Sequence, residues 1–156
     1  MMATWAEFSA ARPEMAEAGR TLLFQHGPGL AYLATVRKDG GPRIHPICPV
    51  IADGDLYAFI GRSPKLHDLL RDGRYALHTF PCADRDDEFF IVGRATLVSD
   101  REQVVRADTV YRAQGTTHGD EDRLFRLAIE RVLHSAYQPR DGGSTWPPAY
   151  ARWRAP

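Results

Sequence analysis

Apolar residues recur along this chain in two rhythms, one for helix and one for strand. Trp5, Phe8, Met15, Leu22 and Leu23 are spaced to line one side of a helical segment. Thr4 followed by Glu7 has the capping-box pattern for its first turn. Pro13 interrupts the segment and restarts it, and Gly27-Pro28-Gly29 ends it after about His26. From Leu30 onward short β-branched and aromatic runs predict strands over residues 30–37, 43–51, 56–60, 74–80 and 88–98, and a last one over 150–154. Asp39-Gly40 predicts a two-residue hairpin turn, and Gly93 marks a bulge. Pro46 and Pro49 lack the N–H that a ladder needs, so the strand over 43–51 is expected at an edge, bulged, or facing something other than a partner strand. Ser99 with Glu102 predicts a capped helix to about Gln114, with Val104, Val105 and Tyr111 inward. Residues 81–88, 115–120 and 140–148 read as loops. Residues 124–137 are ambiguous: Phe125, Ala128, Ile129, Val132 and Leu133 fit a helix face, which the pattern favours, while Phe125, Leu127 and Ile129 alternate as a strand. Close hairpins without alternating βαβ units predict an antiparallel barrel or sandwich with helices at its ends.

Candidate chemistry concentrates in residues 43–73. Ser63 is placed as an N-cap and Pro64 as the first helical residue, with Leu66, Leu69 and Leu70 inward and Gly73 as the stop. A helix start offers unpaired N–H groups and partial positive charge, which suits an anion. Lys65 adds a full charge there. Arg43 reaches the same point if its strand lies beside the one ending at Gly61. Arg43, Ser63 and Lys65 therefore form a candidate phosphate site. The plain alternative, a ligand-free helix start and a solvated strand-end arginine, stays open on the spacing alone. The chain has 18 arginines and two lysines, Lys38 in the hairpin turn and Lys65 here. His45 and His78 are candidate acid–base groups, though a strand histidine has a structural reading too; no catalytic residue is assigned.

Composition narrows the classes. With 156 residues, 44% hydrophobic and 26% charged, the chain has the size and balance of one globular domain. Its zero formal net charge argues against a nucleic-acid partner but not against a small anion held by a local cluster. Cys48 and Cys82 are too few for a disulfide scaffold and no spacing resembles a metal site. No leader-like or membrane-spanning apolar run is visible, so a cytoplasmic protein with no membrane partner is expected.

The run ATVRKDGGPRIHPICPVIADGDLYAFIGRSPKLHDLLRDGRYALHTF resembles the pyridoxamine 5'-phosphate oxidase-like FMN-binding split barrels, well over about residues 20–100 and loosely beyond. The resemblance implies a mainly β fold with helices (α+β), an antiparallel split β-barrel over 28–156 behind an N-terminal helical segment, 1–27. It implies that residues 124–137 are largely strand, against the pattern. It gives Arg43, Ser63 and Lys65 the cofactor phosphate, lays the flavin ring along His45, Pro46 and Ile47, and adds Ile60 and Leu66 to the cofactor's surroundings. It implies FMN, with the deazaflavin F420 as the alternative, hydride transfer to or from a small-molecule substrate, and a homodimer with each flavin in a groove between subunits. Pro64 stands where the oxidases proper have an arginine. The C-terminal region is shorter and offers only Trp146, Arg152, Trp153 and Arg154 for the substrate. Activity on pyridoxamine phosphate is therefore not implied. A flavin carrier or sensor, and a haem-binding barrel using His45, His78, His118 or His134, are the competing classes.

Overall fold

The computed structural model describes residues 1–137 and 146–156. The elements run α1 (Trp5–Ala11), α2 (Pro13–Leu23), β1 (Ala31–Val36), β2 (Pro42–Ile47), β3 (Pro49–Ala52), β4 (Asp55–Ile60), α3 (Pro64–Arg71), β5 (Arg74–Thr79), β6 (Glu88–Leu97), α4 (Arg101–Ala113), β7 (Arg123–Ala136) and β8 (Ala149–Arg154). The ladders are antiparallel in the order β2-β1-β5-β6-β7-β4-β3, with β8 also on β7. The two ends of this path, β2 and β3, are consecutive in sequence with only Cys48 between them. A path whose ends are joined by one residue has to curl back on itself. The result is an α+β split barrel, open where β2 and β3 part.

Side chains cross the barrel wall in rows. One inward row runs His45, Leu33, Leu77, Ile91, Val132, Trp153 across five ladders. Its middle members are buried, and α1 closes over its far end, where Phe8 packs 5.1 Å from Trp153 and 6.2 Å from Phe89. The next row runs Arg43, Thr35, Tyr75, Gly93, Ile129. Both rows turn polar at β2, where the barrel opens.

Of residues 124–137 all but Tyr137 lie in strand β7, and the helix-like pattern has a physical origin. Val92 pairs with Arg131 but Gly93 with Ile129, so Glu130 is an extra residue in β7. The bulge advances the phase, and the inward residues become Phe125, Leu127, Ile129 and Val132. That spacing imitates a helical stripe. Gly93 is required opposite the bulge, since a Cβ there would lie 1.9 Å from the Ala128 carbonyl oxygen.

Other local expectations need correction. The first hairpin has a three-residue loop, closed by Arg37 N–H on Gly41 O, with Gly40 at φ +84°. The strand expected over 43–51 breaks at Cys48 into β2 and β3. Helix α2 stops at Leu23 rather than His26. Ser63 occupies the N-cap position of α3, but its hydroxyl donates to Gly61 O at 2.9 Å and does not accept from the helix. Gly73 is not a left-handed stop; Asp72 caps α3, and Gly73 is small because Ala95 O would lie 2.4 Å from its Cβ. Asp100, not Ser99, caps α4, accepting from Glu102 N–H at 2.9 Å. Leu70 and Val105 are exposed. The Thr4–Glu7 capping box and the Pro13 restart are as expected. Of the loop expected over 140–148, residues 140–145 lie outside the described residues.

Candidate functional site

Strand β2 carries its polarity inverted. Arg43 and His45 point inward with Ile47, while Pro42, Ile44 and Pro46 face outward and are exposed. A half-buried strand normally hides its apolar side. The inversion marks the inner face as a polar cleft and the outer face as an apolar surface.

Inside, Arg43 is held by one edge. Its Nε donates to Asp68 Oδ2 at 2.7 Å. Asp68 is buried in α3 and also accepts from Thr35 Oγ1 at 2.9 Å and from an Arg71 Nη at 3.2 Å. Burial pushes the Asp68 carboxyl up, but the hydrogen bonds from Arg43, Thr35 and Arg71 outweigh it and hold the group below its ordinary value. Thr35 is the cross-strand neighbour of Arg43, so sheet register delivers both groups to one carboxylate.

His45 lies one inward position further along β2. Burial first, then the charges of Lys65 and Arg43, lower its pKa, with Asp68 opposing. Both cations therefore act on one imidazole, although Lys65 comes from α3 and Arg43 from β2. His45 Nε2 is fully buried and has no hydrogen-bond partner. Lys65 forms no ion pair among the described residues. The first turn of α3 has no side-chain cap; Pro64 has no N–H, the Leu66 and His67 N–H groups donate to Ser63 O, and the Lys65 N–H remains at the positive end of the helix. A cavity of about 570 Å³ opens beside Arg43, Pro64 and Asp68, with Arg37, Lys38, Asp39 and His67 on its walls; His45, Ser63 and Lys65 do not line it.

The eight residues expected around a cofactor divide into two sets. Arg43, His45 and Lys65 share one electrostatic neighbourhood, and Ser63 stands at the start of the same helix as Lys65. The side chains of Ile47 and Ile60 are core, Leu66 packs against the core, and Pro46 faces outward. The other histidines serve elsewhere. His118 stacks on Phe59 at 3.9 Å with Nε2 2.9 Å from Asp108, and His78 Nδ1 lies 2.7 Å from Thr79 O. At the C-terminus Trp153 is drawn into the core against Phe8, Arg152 lies over Tyr150 at 5.2 Å, and Arg154 approaches Glu130 at 3.7 Å. Asp68, Thr35 and Arg71 were not singled out from the sequence. The one available signal was a carboxylate inside the apolar stripe of α3, between Leu66 and Leu69.

An anion fits this donor set. Arg43 and Lys65 supply positive charge, the buried His45 Nε2 has no partner, and the two carboxylates nearby are already engaged, Asp68 by Arg43, Thr35 and Arg71 and Asp39 by Arg37.

Solved structures share the fold. A protein from Clostridium acetobutylicum related to general stress protein 26, described as of the pyridoxinephosphate oxidase family, is 13% identical; 91% of this chain and 94% of that one align with a TM-score of 0.62. An FAD-binding protein from Mesorhizobium loti is 22% identical over 74% of this chain and 89% of its own, with a TM-score of 0.58. A haem-binding protein from Mycobacterium smegmatis is 17% identical over 86% of this chain and 57% of its own, with a TM-score of 0.60. No curated protein matches the sequence. The family model described as pyridoxamine 5'-phosphate oxidase matches residues 16–136, more than three quarters of the length. The chain belongs to the pyridoxamine 5'-phosphate oxidase family.

Proposed function

We propose that this protein binds FMN and serves as an oxidoreductase on a small-molecule substrate. Arg43, Ser63 and Lys65 hold the cofactor phosphate, and the ring lies along the β2 backbone at His45–Ile47. The observation that carries the reading is that Arg43 is tied through Asp68 to the helix whose first turn carries Lys65, beside His45, whose buried Nε2 lacks a partner. The positive charges of Arg43 and Lys65, both of which act on that imidazole, suit a phosphate and set the haem reading second. When bound, flavin supplies the two-electron redox chemistry, and the chain supplies binding, orientation and a water-poor groove. In this reading His45 Nε2, buried and without a partner in the protein, hydrogen-bonds the ligand. The main-chain groups of β2 that face away from β1 are those left for a ring edge, since β2 has a ladder on one side only.

The proposal includes a two-fold dimer. Pro46, Tyr32, His78, Phe90 and Leu133 form one outward row, and Ile44, Ala34, Ala76 and Val92 another. No helix lies among these residues, and a second copy placed against them would also wall the groove beside β2.

Fluorescence titration with FMN, F420 and riboflavin tests the binding. Charge-assisted bonds to a phosphate contribute roughly 1.5–3 kcal/mol each, so Arg43→Ala and Lys65→Ala should each weaken FMN about tenfold to a hundredfold. Riboflavin, without a phosphate, should bind weakly and equally to all three proteins. FMN binding that survives both substitutions, with melting curves intact, would remove the phosphate site. A tighter F420 complex would change the cofactor, and a Soret band in the purified protein would favour haem. Reduction of the bound flavin by a nicotinamide donor and its reoxidation by substrate separate an enzyme from a carrier.

A further inference from the structure

We propose that Asp68 is a positioning residue for the phosphate anchor, holding Arg43 by its Nε edge so that the two terminal amino groups remain for the ligand. The inference rests on the FMN reading above. Arginine presents its donors in a rigid planar fork, so fixing one edge fixes the direction of the rest. Asp68 is suited to do this. It is buried, it belongs to the helix that also carries Lys65, and its carboxylate is oriented from two other directions by Thr35 and Arg71. Arg71 in turn donates to Val36 O at 2.5 Å, which ties the far side of the network to β1. Arg43 is thereby set relative to Lys65 by α3 and relative to His45 by β2.

Simple electrostatics makes the opposite demand on Asp68. A carboxylate beside a phosphate site repels the ligand, so removing its charge should tighten binding if charge were its only effect. The two roles therefore differ in the sign of one measurement. With full-length protein, Asp68→Asn keeps the shape and removes the charge. A positioning role predicts FMN binding weaker by roughly tenfold, or one decade of Kd, with riboflavin binding unchanged. It also predicts that Asp68→Asn combined with Arg43→Ala binds FMN as Arg43→Ala alone does, because the effect passes through Arg43. FMN binding equal to or tighter than wild type in Asp68→Asn, or additive losses in the double variant, overturns the role. Should Arg43→Ala itself bind FMN normally, the phosphate reading fails instead, so the two failures are distinguishable.

A wild-type measurement covers the case in which Asp68→Asn does not fold. In side-chain ¹⁵N spectra the Arg43 Nε–H should be slow to exchange and keep its position as FMN is added, while its Nη signals move. An Nε signal that shifts with the Nη signals would show the Asp68 contact giving way to the ligand, and would overturn the proposal.

Discussion

His45 is held where its proton is unwelcome. Burial and then the charges of Lys65 and Arg43 lower its pKa below the usual 6.5. Burial does the same to His134, with Asp87 opposing. Between those lowered values and about 6.5, the unfolded chain binds more protons than the folded one, and stability falls as pH drops through that window. The apo-protein should therefore melt at a lower temperature at pH 5.5 than at pH 7.5. His45→Gln should remove part of that slope and leave the share owed to His134. Asp68 adds nothing to this window, because its lowered pKa acts only below about 3.8, where its contribution is lost as pH falls. Calorimetry across the range checks the sign, and a melting temperature that is flat or rises on acidification contradicts the account.

Among the elements, β7 shows how one extra residue organises its neighbours. Its first half pairs with β4 and its second half with β8, while β6 runs along it on the other side. The Glu130 bulge lies between those halves, opposite Gly93. Gly93→Ala places a methyl group against the Ala128 carbonyl oxygen, and backbone has to move. Overpacking of this kind costs roughly 1–3 kcal/mol, which at about 2–4 °C per kcal/mol lowers Tm by roughly 2–12 °C. The same change at Gly40, which meets no atom within 4 Å, is strained only by its positive φ and should cost less. Comparing the two melting curves tests whether β7 needs its bulge. Equal losses would show that close approach at Gly93 adds nothing.

For the molecule as a whole, the outward apolar rows of β2, β1, β5 and β6 ask for a partner. Ile44 is 65% exposed at the edge of the barrel, and Tyr32 stacks on Phe80 at 4.3 Å beside it. Contiguous apolar surface of this kind is what the proposed dimer would cover. Sedimentation should give a mass of two chains. Ile44→Glu should shift it toward one and weaken FMN in parallel, since each groove would lose its second wall. A single-chain mass for the wild type with cofactor bound removes the dimer. An Ile44→Glu dimer of unchanged affinity puts the interface elsewhere.

What the sequence determined by itself was local. The Thr4–Glu7 cap, the Pro13 restart and the start of α3 at Ser63-Pro64 each depend on residues within about four positions, so the residues present dictate the geometry. The prolines of the strand over 43–51 and Lys65 at the start of α3 were likewise visible in the sequence. Tertiary structure decided whatever depends on residues far apart in the chain. Residues 124–136 became a strand because β6, β4 and β8 offered ladders, against a pattern that a bulge had disguised as helical. Asp68 reaches Arg43 across 25 positions and Thr35 across 33, so only the register of β1 with β2 and the packing of α3 could join them. Ser63 turned its hydroxyl to Gly61 instead of the helix, since a rotor with two acceptable partners is set by the fold around it. His45 could be seen in the sequence, but that its Nε2 is buried and partnerless, and that charges from both β2 and α3 act on it, are properties of the folded barrel.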